Sequence, residues 1–338
     1  MTAFEPHWPL RHAQLQSALA SFKLRNWPRR GHAMARLAAA HTLDCGEDQG
    51  QPVRLLGFHS PQPSGAEPRG LAILIHGWEG SHNSAYLYSL ACTLYDAGYN
   101  VFRLNLRDHG DTHHLNQALF NSARMNEVLG AVRAIGAIDP TRPQFVIGFS
   151  LGGNFALRVG LQGPATDLTP DLSIGICPAI DPGATLHALD HGPKLFHRYF
   201  IDKWRKTLRL KQAAWPEVYD FSELASLTNF REITARFVER YTEYGSLERY
   251  LGEYTLTPDL LRASTAPLAI ITAQDDPVVP FNYFKGLEDG EGLRFLAPKH
   301  GGHCGFIENF RLRSWAEKKV LELLAAATPG ATGSGRPA

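Results

Sequence analysis

The chain of 338 residues is 44% hydrophobic and 20% charged, the composition of a globular protein long enough to bury a full core. Its 34 Lys and Arg against 33 Asp and Glu leave a formal charge of +1, which argues against a dedicated nucleic-acid binder, since that needs a basic excess. No apolar run is long enough to span a bilayer, and the four cysteines, scattered and without a CxxC pair, argue against a disulfide framework or a zinc knuckle.

Residues 1–40 are expected to form an N-terminal helical extension outside the core. Pro6, Pro9, Arg11 and His12 interrupt the first twenty positions, so no signal peptide is read and a cytoplasmic location is expected. The core is expected over 41–179 and 266–326. Within it a buried strand at 71–75 stops at His76-Gly77, and a helix rich in Leu, Tyr and Ala runs from about 84 to 97, where Gly98 suits its end. A strand at 101–106 enters a polar loop, 107–116. A helix over 122–136 leads to a strand at 144–147, which runs into Gly148-Phe-Ser-Leu-Gly-Gly153 and another helix. Strands at 172–177, 268–272 and 293–296 and a closing helix over 306–326 complete the alternation, which implies βαβ units and a mostly parallel sheet flanked by helices. The alternation breaks between 180 and 265. That stretch is helical and aromatic, and it is expected to be a cap inserted before the last two strands. The Gly-, Pro-, Ser- and Thr-rich tail, 327–338, is expected to be disordered.

Gly148-Phe149-Ser150-Leu151-Gly152 matches GxSxG, a pattern that about one chain in ten of this length shows by chance at ordinary glycine usage. Context gives it weight. An apolar strand precedes it and a helix follows, so the serine falls on a tight strand-to-helix turn that lifts its hydroxyl clear of the sheet. The competing reading, a phosphate-binding turn, lacks both the GK[ST] sequel and the GxGxxG spacing. A serine hydroxyl needs a base to act as nucleophile, and the base needs an orienting acid. After the strand at 268–272 stand Asp275 and Asp276. Asp276 is preferred because Asp-Pro-Val-Val-Pro280 resembles the acid loop of α/β-hydrolases, with Asp275 its rival and turn capping the bland alternative. After the strand at 293–296 come His300 and His303 in a glycine-rich loop. The two amides expected to stabilise a developing oxyanion are those of Leu151, directly after the serine, and Trp78, in the loop that follows the strand at 71–75.

Two other clusters draw attention. His109, Asp111, His113 and His114 share a loop but lack the spacing of a metal site, so neither a metal nor a cofactor is expected. Leu195, Phe196, Tyr199, Phe200 and Trp204 recur at helical spacing among Lys194, Arg198, Lys203, Arg205, Lys206 and Arg209. Such a basic amphipathic helix can touch a membrane surface, but a cap helix with one core face and one solvated face is the expectation.

Together these motifs resemble the YheT-like branch of the α/β-hydrolases, related to the ABHD-type esterases, over about residues 40–325. The marks are His76-Gly-Trp-Glu-Gly-Ser81, Gly148-Phe-Ser-Leu-Gly-Gly-Asn154, Asp275-Asp-Pro277, Cys177-Pro-Ala-Ile-Asp-Pro182 and His300-Gly-Gly-His-Cys-Gly-Phe306. The resemblance implies an α/β-hydrolase fold and picks the second histidine, His303, to join Ser150 and Asp276. It also implies a carboxylesterase acting on a small-molecule ester, with phospholipase or acyltransferase activity in some members. One departure is Arg107-Asp-His-Gly-Asp-Thr-His-His114, where relatives usually carry an Arg-Gly turn, and it leaves substrate preference outside what the resemblance implies. The expected reaction is hydrolysis of a short- or medium-chain ester through an acyl-Ser150 intermediate. Acyl transfer or thioester hydrolysis by the same residues is the alternative, and a non-catalytic binding protein the more distant one. The sequence names no substrate-binding residue and no oligomeric state.

Overall fold

The computed structural model describes residues 4–328. Among the described residues eight strands form one sheet: β1 Ala39–Asp48, β2 Gln51–Ser60, β3 Leu71–Ile75, β4 Asn100–Leu104, β5 Gln144–Phe149, β6 Leu172–Ile176, β7 Leu268–Ile271 and β8 Leu293–Leu296. Their order is β1-β2-β4-β3-β5-β6-β7-β8. From β4 to β8 every pairing is parallel, while β1 and β2 form an antiparallel hairpin on the β4 edge. Parallel strands covered on both faces should read as unbroken apolar runs. Every residue of β3, β4, β5, β6 and β7 is buried accordingly.

Before the sheet come α1 Ala13–Ser21 and α2 Ala33–Arg36. Flanking it are α3 Ala85–Asp96, α4 Met125–Ile138 and α5 Leu151–Gln162. Between β6 and β7 lie α6 Pro182–His191, α7 Lys194–Ala214, α8 Ser222–Ser226, α9 Phe230–Tyr241, α10 Leu247–Gly252 and α11 Pro258–Arg262, and α12 Trp315–Ala327 ends the described chain. The period of two in a strand sorts its side chains to opposite faces. Leu71, Ile73 and Ile75 of β3 join a cluster with α4 and α5, and that cluster extends to Leu208, Phe237 and Tyr250 of the inserted helices. Ala72 and Leu74 join the other face with α3 and α12.

Three sequence expectations need correction or restriction. The hairpin β1–β2 was not foreseen as strands. Its residues are half exposed and carry Gly, Asp and Pro, so neither an apolar run nor a strict alternation marks it. The closing helix begins at Trp315 and not at 306, because residues 301–314 are spent on turns that include a bridge between Ile307 and Ser314. The tail read as disordered lies, from residue 329 on, outside the described residues.

Candidate active site

Ser150 is the single residue between β5 and α5, at φ 54° and ψ −119°. That backbone region is costly for any residue with a side chain. Its neighbours show why glycine flanks it. A Cβ on Gly148 would stand 1.8 Å from the Gly152 carbonyl oxygen, and one on Gly152 would stand 2.3 Å from the His76 carbonyl oxygen. The turn is pinned from below by the Ser150 N–H, which donates to Ile176 O at 2.8 Å.

Loops after β5, β7 and β8 bring Ser150, Asp276 and His303 together. His303 Nε2 lies 2.9 Å from Ser150 Oγ, and His303 Nδ1 lies 2.8 Å from Asp276 Oδ2. The other Asp276 oxygen, Oδ1, accepts the N–H groups of Val278 and Val279 at 2.8 and 2.9 Å, which fixes the carboxylate. Asp275 faces a different way. Its Oδ1 accepts the Gly302 N–H at 2.8 Å, and its Oδ2 is 3.5 Å from His300 Nδ1. Two acid–histidine pairs therefore run side by side, and of the two histidines His303 is the one hydrogen-bonded to Ser150. Burial by itself would lower the His303 pKa, but the adjacent Asp276 carboxylate, together with Cys304, more than offsets it and the imidazole is held well above its ordinary value.

The loop after β3 lies against the serine: a Cβ on Gly77 would be 3.1 Å from Ser150 Cβ. Among the described residues the Trp78 and Leu151 N–H groups make no hydrogen bond to protein. Sequence reasoning missed what shapes this loop. His76 and His109 are buried, lie tilted against each other with ring centroids 4.9 Å apart and accept through Nε2 from the Leu106 and Glu79 N–H groups, each at 3.1 Å. Burial pushes His109 down to about 4 and His76 well below its ordinary value, so both stay neutral and able to accept. Helix α7 grips the same loop from above. Lys203 Nζ donates to Glu79 O at 3.0 Å, Thr207 Oγ1 donates to Glu79 Oε2 at 2.6 Å, and Phe200 stacks on Trp78 at 5.8 Å. A cavity of about 30 Å³ lies there, lined in part by Trp78, Glu79, Phe120, Trp204, Lys211 and Phe237.

The remaining candidates do not converge. His109 is buried and accepts the Glu79 N–H, His113 is buried with its Nε2 unpartnered, and Asp111 and His114 face solvent. One group of three potential metal donors is found among the described residues, Cys177, His303 and Cys304, within 4.8 Å of one another. Both nitrogens of its imidazole already meet Asp276 and Ser150. On α7, Leu195 and Tyr199 are exposed among the basic residues, while Ile201, Leu208 and Lys211 turn inward. No helix among the described residues is long and apolar enough to cross a membrane.

A family model, described as the alpha/beta hydrolase family, matches residues 72–312. The chain belongs to this family. The hydrolase is 24% identical over 271 residues to YheT of Escherichia coli (strain K12), a protein provisionally named an esterase, with 78% of this chain and 79% of that protein covered. It is 27% identical over 212 residues to the mouse monoacylglycerol lipase ABHD2, with 56% of this chain covered, and it spans about half (50%) of that protein. Among solved structures, an esterase of Pyrococcus furiosus aligns with a TM-score of 0.54 at 16% identity, over 86% of this chain and 93% of that one. At that identity the likeness concerns the fold, and it agrees with the mostly parallel sheet of the hydrolase.

Proposed function

We propose that the protein is a serine hydrolase of carboxylic esters that works through an acyl-Ser150 intermediate. The observation that carries this reading is the continuous chain of hydrogen bonds from Asp276 through His303 to Ser150, at 2.8 and 2.9 Å, ending on a strained serine at a sheet edge. Membership of the hydrolase family and the esterase and lipase names of its relatives support the reaction class.

Each group then has one task. His303 Nε2 takes the proton as Ser150 Oγ attacks the ester carbonyl carbon. The carbonyl oxygen gains negative charge and is met by the Trp78 and Leu151 N–H groups, which have no protein partner to give up. Collapse breaks the C–O bond to the alcohol, which leaves with the proton held by His303. Water, deprotonated by His303, attacks the acyl carbon, and the carboxylic acid departs as the proton returns to Ser150 Oγ. Asp276 holds Nδ1–H throughout and balances the imidazolium charge. Helices α6–α11 act as a cap over the serine, and its aromatic lining suits a short or medium acyl chain.

The reading is tested with a fluorophosphonate probe, which phosphonylates an activated serine. Wild type is expected to be labelled and Ser150→Ala is not. Absence of labelling in folded wild type, or equal labelling of both, would contradict the reading.

A further inference from the structure

Helix α1 lies outside the sheet and outside the span of the family match, yet it is bonded to the loop that bears His303. Gln16 is fully buried and uses both ends of its amide on this loop and its own segment. Its Oε1 accepts the Ile307 N–H at 2.6 Å, while its Nε2 donates to Ile307 O at 2.9 Å and to Leu10 O at 2.6 Å. Ser17 Oγ accepts the backbone N–H of His303 at 2.8 Å and donates to Ala13 O at 2.7 Å. The loop is moulded on the helix. A Cβ on Gly302, which sits at φ 53°, would lie 2.3 Å from Ala13 O, and one on Gly305 would lie 2.5 Å from Gln16 O.

We propose that Ser17 and Gln16 are positioning residues for the hydrolysis, holding the His303 backbone so that its ring spans Asp276 and Ser150. The inference rests on the reading of His303 as the base. Its physical content is simple. The His303 ring must satisfy two hydrogen bonds at once, at 2.8 and 2.9 Å, from a loop containing Gly301, Gly302 and Gly305. Such a loop has many accessible conformations, and glycine itself supplies no side chain to choose among them. The Ser17 hydroxyl and the Gln16 amide supply the choice from a helix nearly three hundred positions earlier in the chain (separations of 286 and 291). A misplacement of about 1 Å can cost on the order of a hundredfold in rate. Removing the Ser17 hydroxyl also leaves the His303 N–H, a part-buried donor, without its partner.

The test is turnover per active site, with sites counted by fluorophosphonate titration, for wild type, Ser17→Ala, Ser17→Thr and Gln16→Leu. Counting sites removes any loss caused by unfolded enzyme. The expected result is a fall in kcat of roughly tenfold to a hundredfold for Ser17→Ala and Gln16→Leu. KM should stay near the wild-type value, the acid limb of the kcat/KM profile should move, and the retained hydroxyl of Ser17→Thr should restore most of the rate. An unchanged kcat per titrated site and an unchanged acid limb in Ser17→Ala and Gln16→Leu would overturn the proposal even if their melting temperatures fell. If wild type itself neither turns over esters nor is labelled, the functional reading fails instead, and this inference with it.

Discussion

At Ser150 the distinction between the two neighbouring carboxylates decides how the base works. Asp276 Oδ2 reaches His303 Nδ1, whereas Asp275 Oδ1 is occupied by the Gly302 N–H. Asp276→Asn should therefore cost on the order of 10⁴ in kcat, because the amide favours the wrong imidazole tautomer. Asp275→Asn keeps an oxygen acceptor for Gly302 and should stay within about tenfold of wild type, since no reacting atom meets it. The sign of the pH effect also follows. In the proposed mechanism His303 must be neutral to act, and the carboxylate of Asp276, with a further contribution from Cys304, holds its pKa up against burial. Without that charge burial is opposed only by Cys304, the pKa falls, and the acid limb of kcat/KM moves to lower pH in Asp276→Asn. A limb that moved upward would contradict the assignment. The local motif and the order of strands pointed to Ser150 and to the pairs Asp275/Asp276 and His300/His303. The choice of Asp276 and His303 came from the resemblance, and these are the two that lie within hydrogen-bonding distance of each other and, through His303, of Ser150. His76, His109, Gln16 and Ser17 were not legible in the sequence. Their partners lie 30 positions away in the first two cases and nearly 300 in the last two, and no short-range pattern records such a pairing.

Among the elements, α7 joins the inserted helices to the loop that follows β4. Lys211 is fully buried and donates to Asp108 Oδ1 at 2.7 Å and to Asn116 O at 2.7 Å. Trp215 Nε1 donates to His113 O at 2.9 Å. Removing one partner of a buried ion pair typically costs about 3–5 kcal/mol, because the other charge stays buried and uncompensated. Lys211→Ala should lose stability on that scale in urea unfolding, and more than Lys206→Ala on the exposed face. Glu79 ties the same helix to the Trp78 loop, and burial pushes its carboxyl up to about 7 against the pull of Thr207 and Lys203. A folded-state pKa raised above the ordinary value of 4.5 favours the folded state at low pH, and that contribution is lost as pH rises through about 7. Glu79→Gln cannot ionise, so its melting temperature relative to wild type should be higher at pH 8 than at pH 5.5. An equal difference at both would contradict the burial of this carboxyl. The amphipathic spacing of α7 was readable, but its inward lysine was not, since a charged residue in a basic helix reads as solvated until its buried partner is seen.

Across the whole molecule, the site sits where an open parallel sheet offers it. Trp78, Ser150, Asp276 and His303 all follow the carboxyl ends of strands, β3, β5, β7 and β8, so one edge of the sheet gathers residues from four distant stretches of chain. Short apolar runs, broken by Arg294 in β8, made those strands visible in the sequence. The β1–β2 hairpin, half exposed and irregular, was invisible for the converse reason. The central claim is that this gathered edge hydrolyses esters through Ser150. Its most direct test is hydrolysis of a p-nitrophenyl ester series from acetyl to palmitoyl by wild type and Ser150→Ala. The expected result is turnover by wild type with an optimum at a short or medium chain, and a loss on the order of a millionfold in kcat in Ser150→Ala. Turnover that survives the substitution, or folded wild type that hydrolyses none of the series, would contradict the account.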